Sequence, residues 1–370
     1  MTDEEYMKLA LQLAASTKGQ TSPNPMVGAI VVQNGAIVGM GAHLAAGEAH
    51  AEVHAIHMAG EKAIGSTVYV TLEPCSHFGK TPPCCDLLIK NKVKRVIIAT
   101  LDNNPLVSGQ GMRRLQEAGI QVDVGVLEEE AKQLNKVFFH YMHTKKPFIT
   151  VKAATSLDGK IATSTGESKW ITGKLAREDV HRYRNSHDAI LVGVNTVITD
   201  NPSLTTRLHG GGKNPIRIVL DTYLRTPLSS TIVKDGEAPT WIVTGSHISK
   251  ERMEPFEKYG VTIIQMNSSL IQIEELLSIL GERNILSLLV EGGQNVHASF
   301  LEGGYWDQLI LYMSPRLIGG VNAPSFFGGE GFSSLEDTPH LSIQQIEMVG
   351  EDLKMIAQKG KERSHVYRNH

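Results

Sequence analysis

Apolar residues follow two different spacings in the first part of the chain. Between residues 5 and 15 they recur at the interval of an α-helix, so the spacing predicts a first helix there. An apolar run over 27–32 is followed by the dipeptide Asn34-Gly35 and by a second short run over 37–39. Two runs joined by Asn-Gly are typical of a β-hairpin. The chain is therefore predicted to open with a helix and two antiparallel strands.

Helical and strand-like patterns then alternate as far as residue 143. Helices are predicted over 51–59, 84–92, 111–118 and 128–143, and strands over 69–72, 95–100 and 122–126. A hairpin followed by alternating helices and strands indicates a mixed sheet covered by helices, an α/β fold.

A polar break at residues 144–147 ends this pattern, and we expect two domains, 1–146 and 147–370. Apolar runs of strand length follow at 148–154, 189–194, 216–220, 240–244, 287–291 and 308–312. Such runs suit strands that are buried on both faces of a sheet. The second half is thus also predicted to be α/β.

Charge and composition narrow the classes of function. The 370 residues carry a formal net charge of -3, which gives no basic surface for nucleic acid. No apolar run approaches the roughly 20 residues of a membrane span, and the acidic N-terminus does not resemble a signal peptide. Only three cysteines are present, too few for a disulfide framework if two bind metal. We expect a cytoplasmic enzyme that acts on a small molecule.

Residues with metal-binding chemistry lie between positions 50 and 85. The chain contains His50-Ala51-Glu52, then Pro74-Cys75, then Pro83-Cys84. One His and two Cys with an open fourth position are what catalytic zinc requires, and Glu52 is free to move the proton of an attacking water. We predict a zinc site of His50, Cys75 and Cys84, although Cys85 is adjacent and a one-residue shift stays open.

Two further histidines, His54 and His57, follow on the same predicted helix. His50 and His54 form an i, i+4 pair that could hold a metal alone, but without the middle Glu of a zincin the pattern is weak. We interpret His54 and His57 as packing residues or as support for the ligands.

This arrangement resembles that of the cytidine-deaminase-like zinc deaminases, whose signature is H-x-E followed by P-C-x-x-C. The chain departs from the signature by carrying eight residues, 76–83, between Cys75 and Cys84. The string EPCSHFGKTPPC is similar to the deaminase half of the bifunctional riboflavin-biosynthesis enzymes. That resemblance implies a cytidine-deaminase-like N-terminal domain, and it implies that Asn24 and Asn104, by default turn residues, reach the substrate.

The second half has no G-x-G-x-x-G after its first strand, so a standard Rossmann site is not supported. A glycine pair, Gly292-Gly293, follows a late predicted strand and could let a phosphate approach the next helix. The motifs SLDGKIA at 156–162, KWIT at 169–172, VGVNT at 192–196, DNPSL at 200–204 and VEGG at 290–293 resemble the reductase half of the same family. The resemblance implies a dihydrofolate-reductase-like fold and a reductase that uses NADPH. Only the chain after about residue 350 lies outside the part that the resemblance covers.

The same resemblance implies the residues of the reductase site. The cofactor is expected to meet Ala154, Trp170, Thr196, Asp200, Thr222 and the turn Gly293, Gln294, Asn295, Val296, His297, Ala298 and Ser299. The substrate is expected to meet Lys152, Ser168, Arg184, Leu204, Arg207 and Glu291. From the residues alone, Trp170 could equally be a partly buried core aromatic, and no acidic or basic marker selects NADP over NAD.

The function implied has two steps. Zinc-dependent deamination of 2,5-diamino-6-(5-phosphoribosylamino)pyrimidin-4-one would be followed by NADPH reduction of its ribosyl group to ribityl, giving 5-amino-6-(5-phosphoribitylamino)uracil. We also expect a homo-oligomer. Two other classes are a tRNA or nucleotide deaminase with an unrelated second domain, which the negative charge disfavours, and a non-catalytic zinc scaffold. A structural zinc site normally has four protein ligands, and only three are evident here.

Overall fold

The protein is described by a computed structural model that covers residues 1–76, 82–102 and 108–360. The chain forms two compact units, Met1–Lys145 and a second that begins at Lys146. None of the helices in the described ranges is long and apolar enough to cross a membrane.

The first unit is a five-stranded sheet with helices on both faces. Its elements in chain order are α1 (Asp3–Ala15), β1 (Gly28–Gln33), β2 (Ala36–Ala42), α2 (Ala51–Ala59), β3 (Thr67–Leu72), α3 (Cys84–Lys90), β4 (Arg95–Thr100), α4 (Gln110–Glu117), β5 (Gln121–Val124), α5 (Glu128–Leu134) and α6 (Lys136–Thr144). The strand order is β2-β1-β3-β4-β5; β2, β1 and β3 are antiparallel, and β3, β4 and β5 are parallel.

The alternation of side chains along β1 explains the two layers of helices. Ala29 and Val31 pack in the core that contains residues of α2, α3 and α4, whereas Ile30 and Val32 pack in the core formed with α1 and α5. All four side chains are buried, and burying an aliphatic side chain of the size of Val or Ile stabilises the fold by about 1.5–3 kcal/mol. The predicted helix-covered mixed sheet is confirmed.

The second unit contains a nine-stranded sheet. Its elements are β6 (Phe148–Ser156), α7 (Lys174–Ser186), β7 (Ala189–Gly193), α8 (Val194–Asp200), β8 (Ile216–Leu220), α9 (Thr231–Lys234), β9 (Thr240–Thr244), α10 (Lys250–Glu257), β10 (Thr262–Gln265), α11 (Ile273–Glu282), β11 (Ser287–Val290), α12 (Gln294–Glu302), β12 (Gln308–Ser314), β13 (Leu341–Val349) and β14 (Asp352–Lys359). The strand order is β10-β9-β8-β7-β11-β6-β12-β14-β13. The strands from β10 to β12 are parallel, and β14 and β13 are antiparallel additions.

The structure corrects two expectations from the sequence. The chain after residue 350 is not outside the reductase fold, because β14 pairs along β12 from Leu353 to Gln358 and carries β13 on its other side. The single helix predicted over 128–143 is two helices, which meet at Asn135. The charged residues 361–370 lie outside the described part of the chain.

Candidate metal centre and reductase pocket

The side chains of His50, Cys75 and Cys84 meet in the first unit. His50 Nδ1 lies 3.3 Å from Cys84 Sγ and 3.6 Å from Cys75 Sγ, and the three ligand atoms lie within 4.8 Å of one another. Each residue stands at the end of an element: His50 precedes α2, Cys75 follows β3, and Cys84 begins α3. One imidazole nitrogen and two sulfurs form a donor set suited to zinc, so these residues fit the ion.

The local backbone prepares Cys75 to act as a thiolate. The Cys84 backbone N–H donates to Cys75 Sγ at 3.2 Å, because α3 begins there and its first N–H groups have no partner within the helix. Hydrogen bonds from the Cys84 thiol, from His50 and from this N–H lower the pKa of Cys75 to about 4. Since zinc binds thiolates, the lowered pKa of Cys75 favours metal binding near neutral pH, whereas the hydrogen bond to Cys75 raises the pKa of Cys84, whose proton zinc must displace.

Cys85 points away from this cluster. Its thiol is buried and donates to the carbonyl oxygens of Pro74 at 3.3 Å and Gly111 at 3.5 Å. Burial raises the pKa of Cys85 to about 12, which disfavours a thiolate. His54 is half-buried and His57 is exposed, and neither belongs to the cluster. The geometry therefore groups Cys84, and not its neighbour, with His50 and Cys75.

Glu52 lies in the first turn of α2 and is only 3% exposed. Burial raises the pKa of its carboxyl group to about 7, although the positive field of His50 opposes the shift. The helix can approach the sheet this closely because residue 41 is glycine: a Cβ atom there would lie 2.2 Å from the Ala51 carbonyl oxygen. The contact fixes the turn that carries Glu52 beside the three predicted ligands.

Asn24 contacts His43, a residue that no sequence motif singles out and whose ring packs against that of His50. The Asn24 side-chain amide lies 3.0 Å from His43 Nε2, so this nitrogen accepts and the opposite one, Nδ1, donates to the Ala49 carbonyl oxygen at 3.1 Å. The His43 ring packs edge-on against the His50 ring, with centroids 5.4 Å apart. Burial lowers the pKa of His43, which keeps it neutral. Asn104, the other predicted substrate residue, lies outside the described residues.

Glu73, whose role no sequence motif indicated, directly precedes the Pro74-Cys75 pair. Its buried carboxylate accepts hydrogen bonds from the backbone N–H groups of Asp102 at 3.2 Å, Gly109 at 2.9 Å and Met112 at 3.1 Å. Gly109 is the N-cap of α4 and has no side chain to cap it, so Glu73 supplies the missing acceptor. Glu73 thereby ties the start of α4 to the end of β3.

In the second unit, a pocket with a volume of about 520 Å³ gathers predicted reductase residues. Its lining includes Lys152, Ala154, Ser168, Trp170, Arg184, Arg207 and Glu291. Arg177 and His181 of α7 and Tyr312 of β12 also line it, and no sequence motif points to these three. The sequence does carry a signal for helix α7: the apolar residues Ala176 and Val180 are spaced one helical turn apart, and both are buried in the structure.

A buried group of charges stands in this pocket. Arg184 donates from Nε to Glu291 Oε1 at 2.9 Å and from Nη2 to Oε2 at 3.0 Å, and Lys152 Nζ lies 3.8 Å from Oε2. Burial alone would raise the pKa of Glu291, but the charges of Arg184 and Lys152 outweigh it and hold the pKa at about 2. Burial lowers the pKa of Lys152. Arg184 therefore donates from Nε and Nη2 to Glu291 and from Nη1 to the Thr205 carbonyl oxygen at 3.2 Å, so only its remaining N–H groups could meet a phosphate.

Trp170 is 61% exposed at the rim of the pocket, so the core-aromatic interpretation is wrong. The Arg177 guanidinium lies 4.5 Å from the centre of its ring, within the range of a cation–π contact. Leu204, by contrast, is buried with a φ of 55°, and Arg207 is exposed.

The remaining predicted cofactor residues follow the carboxyl ends of parallel strands. Thr196 and Asp200 belong to α8 after β7, Thr222 follows β8, and the turn Gly293–Ser299 follows β11. A Cβ atom at Gly293 would meet nothing within 4 Å, and no described side chain caps α12. A pyrophosphate would fit this open space, where it could accept hydrogen bonds from the first N–H groups of α12, which no described side chain caps. His297 and Ala298 are buried, and His297 Nδ1 lies 2.8 Å from the Phe326 carbonyl oxygen, so their side chains face inward.

Comparison with known proteins finds a family match for each of the two units. The cytidine and deoxycytidylate deaminase zinc-binding region matches residues 1–100, and the RibD C-terminal domain matches residues 147–355. The riboflavin biosynthesis protein RibD of Bacillus amyloliquefaciens is 52% identical over 369 residues, 99% of this chain and 100% of that protein. The chain belongs to the RibD family.

Solved RibD structures share the fold over nearly the whole chain. Acinetobacter baumannii RibD, form 1, superposes with a TM-score of 0.89 at 35% identity and covers 97% of this chain and 99% of that one. A Thermotoga maritima protein described as a diaminohydroxyphosphoribosylaminopyrimidine deaminase/5-amino-6-(5-phosphoribosylamino)uracil reductase superposes with a TM-score of 0.87 at 38% identity, with 97% and 99% covered.

Membership of the RibD family confirms the expected fold class and activity. The chain has a cytidine-deaminase-like N-terminal part and a dihydrofolate-reductase-like C-terminal part. It is a bifunctional deaminase and reductase of riboflavin biosynthesis, and its cofactors are zinc and NADPH. RibD enzymes act on a small phosphorylated pyrimidine.

Proposed function

We propose that residues 1–146 deaminate 2,5-diamino-6-(5-phosphoribosylamino)pyrimidin-4-one and that residues 147–370 then reduce its ribosyl group to ribityl. The product is 5-amino-6-(5-phosphoribitylamino)uracil. The observation that carries this proposal is the meeting of His50, Cys75 and Cys84 beside buried Glu52 in the unit that matches the zinc deaminases. The name of the similar Thermotoga maritima protein, which describes the same pair of activities, supports the choice of substrate.

In the deaminase, His50, Cys75 and Cys84 would hold the zinc ion, and Glu52 would move protons. Zinc supplies Lewis acidity that makes water a usable nucleophile near neutral pH. Glu52 takes a proton from the attacking water and delivers it to the amino group, so that a C–O bond forms, the C–N bond breaks and ammonia leaves. Burial favours the protonated form of this carboxyl group, which helps it to carry the proton from the water to the amino group. Asn24, oriented by His43, is the residue proposed to bind the ring.

In the reductase, the pocket that holds Lys152 and Glu291 would receive the sugar. NADPH supplies the hydride when it is bound. Ser168, Arg207, the backbone near Leu204 and the remaining N–H groups of Arg184 are proposed to hold the 5′-phosphate. The N–H groups at the start of α12, which no described side chain caps, are proposed to hold the pyrophosphate of the cofactor. Arg184 keeps Glu291 ionised and oriented through two hydrogen bonds.

We further propose a cytoplasmic location, in keeping with the absence of a membrane-spanning helix among the described residues and with the small substrate. The homo-oligomeric state stays a prediction.

The test is to incubate the purified protein with the diaminopyrimidine phosphate and identify the products by mass spectrometry, with and without NADPH. Without NADPH, we expect a product in which one amino group has become a carbonyl oxygen. With NADPH, that product should gain two hydrogens in its sugar. Cytidine and deoxycytidylate serve as controls, and deamination of either in place of the diaminopyrimidine would favour the nucleotide-deaminase alternative.

A further inference from the structure

The proposed cofactor residues lie on or just after four neighbouring strands of the nine-stranded sheet. Ala154 lies on β6, the α12 turn follows β11, Thr196 follows β7 and Thr222 follows β8, and these four strands are neighbours in that order. Adjacent strands are about 4.8 Å apart, so the four span about 14 Å. A dinucleotide with its nicotinamide at the β6 pocket and its pyrophosphate at α12 would reach the ends of β7 and β8 with its adenosine.

The turn after β8 contains an acidic residue that is turned inward. Asp221 is fully buried, and its carboxylate accepts hydrogen bonds from the backbone N–H groups of Arg225 at 2.8 Å and Thr226 at 2.7 Å, and from the Thr226 hydroxyl at 2.7 Å. In enzymes that prefer NAD, a carboxylate near the end of a strand accepts the ribose 2′-hydroxyl. Asp221 is committed to its own turn and cannot serve in that way.

The same turn presents a cation on its outside. Arg225 is exposed, and its Nη2 donates to the Asn195 side-chain oxygen at 3.0 Å. Asn195 precedes Thr196 in α8, so the guanidinium extends from the turn that holds Thr222 toward the helix that holds Thr196. The planar fork of Arg suits a phosphate, and one bond to Asn195 orients it while most of its N–H groups stay available.

We infer that Arg225, oriented by Asn195, binds the 2′-phosphate of NADPH and makes the reductase prefer NADPH to NADH. The inference rests on the proposed placement of the cofactor beside Thr196 and Thr222. It supplies the marker for NADP that the sequence alone did not reveal, because neither the inward orientation of Asp221 nor the bond between Arg225 and Asn195 is visible without the fold.

The test measures binding of two fragments, 2′,5′-ADP and 5′-AMP, to the full-length protein by calorimetry. The wild type should bind 2′,5′-ADP more tightly. Arg225→Gln should weaken 2′,5′-ADP by about ten- to a hundred-fold, as expected for one charge-assisted contact, and leave 5′-AMP unchanged. Arg225→Lys should recover part of the loss, and Asn195→Ala should show a smaller loss of the same selectivity.

Lys258→Gln is the matched control. It removes an exposed positive charge at the C-terminal end of α10, just before the amino end of β10, whereas the proposed cofactor residues lie at the carboxyl ends of their strands. It should change neither affinity. Equal weakening of both fragments by Arg225→Gln would show that Arg225 only supports the local structure, and unchanged affinities would show that it does not meet the phosphate. Either result overturns the inference.

Kinetics on the same samples separate this inference from the proposed function. If the wild type oxidises NADPH with the deaminated substrate but Arg225→Gln keeps the wild-type preference for NADPH over NADH, the inference alone fails. If the wild type shows the fragment selectivity but oxidises no NADPH with that substrate, the proposed function fails and the assignment of Arg225 stands.

Discussion

At the scale of single residues, two adjacent cysteines have opposite environments. Cys84 opens α3 toward His50, whereas Cys85, about 100° further around the helix, donates to the Pro74 and Gly111 carbonyl oxygens. The order Pro83-Cys84-Cys85 could not decide between them, because helix phase depends on where the helix begins. The structure settles the phase through the hydrogen bond from the Cys84 N–H to Cys75 Sγ.

We predict that Cys84→Ser loses zinc and deaminase activity, while Cys85→Ser retains most of both. Serine at position 84 removes one of three ligands, whereas serine at 85 can still donate to the same two carbonyl oxygens. Metal analysis and ammonia release on the two purified variants check this. Equal zinc loss in both variants, or loss in Cys85→Ser alone, would refute the ligand assignment.

The Glu291 carboxylate should make the stability of the protein depend on acid. Its pKa is about 2 in the folded protein and about 4.3 when unfolded, so its contribution is complete above about pH 4.3 and is lost as the pH falls toward 2. Glu291→Gln leaves Arg184 and Lys152 without their charge partner and should be destabilised near pH 7 by about 3–5 kcal/mol.

The stability difference between wild type and Glu291→Gln should therefore be constant from pH 7 to about 5 and shrink below about 4.3. Urea unfolding at a series of pH values measures it. Glu330→Gln, an exposed glutamate in the same unit, should show no such difference. A gap between wild type and Glu291→Gln that stays constant down to pH 3 would contradict the assigned pKa.

At the scale of elements, hydrophobic spacing predicted most of the strands and several helices but not where one helix gives way to the next. Residues 128–143 keep a helical pattern throughout, yet α5 ends and α6 begins at Asn135. The cause is distant in sequence: the Asn135 side chain accepts from the Met26 N–H and donates to the Met26 carbonyl oxygen, both at 2.8 Å. Pairing over such a separation leaves no local signal.

The same limit applies to the reductase unit. Its buried parallel strands were visible as apolar runs, but β13 shows mostly exposed side chains and β14 mixes buried, half-buried and exposed positions without a regular alternation, so neither stood out. In the candidate sites, the motifs identified His50, Glu52, Cys75 and Cys84. They did not reveal His43 or Glu73, whose roles depend on which loops the fold brings together.

We predict that Asn135→Ala destabilises the protein by about 2–4 kcal/mol, because it leaves both backbone groups of Met26 without their partners. Asn135 is only 1% exposed, so water cannot easily replace the amide. Since Met26 lies two residues after Asn24, the deaminase KM should also rise. Urea unfolding and deaminase kinetics test this, with Asn267→Ala, an exposed asparagine, as the control. Unchanged stability would show that the two bonds contribute little.

At the scale of the whole molecule, each unit has its own sheet, its own cores and its own candidate site. Glu52 and the predicted zinc ligands belong to the first unit, and the pocket around Lys152 and Glu291 belongs to the second. The two chemical steps should therefore be separable by single substitutions.

We predict that Glu52→Ala keeps zinc but lowers deamination by about 10²–10⁴-fold, because the attacking water loses its base and the departing amine its acid. The variant should still oxidise NADPH when it is given the already deaminated compound. Zinc content, ammonia release and NADPH consumption are measured on one sample. Near-normal ammonia release would remove Glu52 from the mechanism, and parallel loss of NADPH consumption would show that the two activities depend on each other.

The position of β14 has a consequence for protein synthesis. β14 follows every other strand in chain order but lies between β12 and β13 inside the sheet, so both neighbours stay unpaired along that edge until β14 has left the ribosome. The first unit contains no such late strand among its described residues and can complete its sheet once β5 has emerged. A nascent chain should thus acquire a protease-resistant zinc-binding part well before its second part becomes resistant.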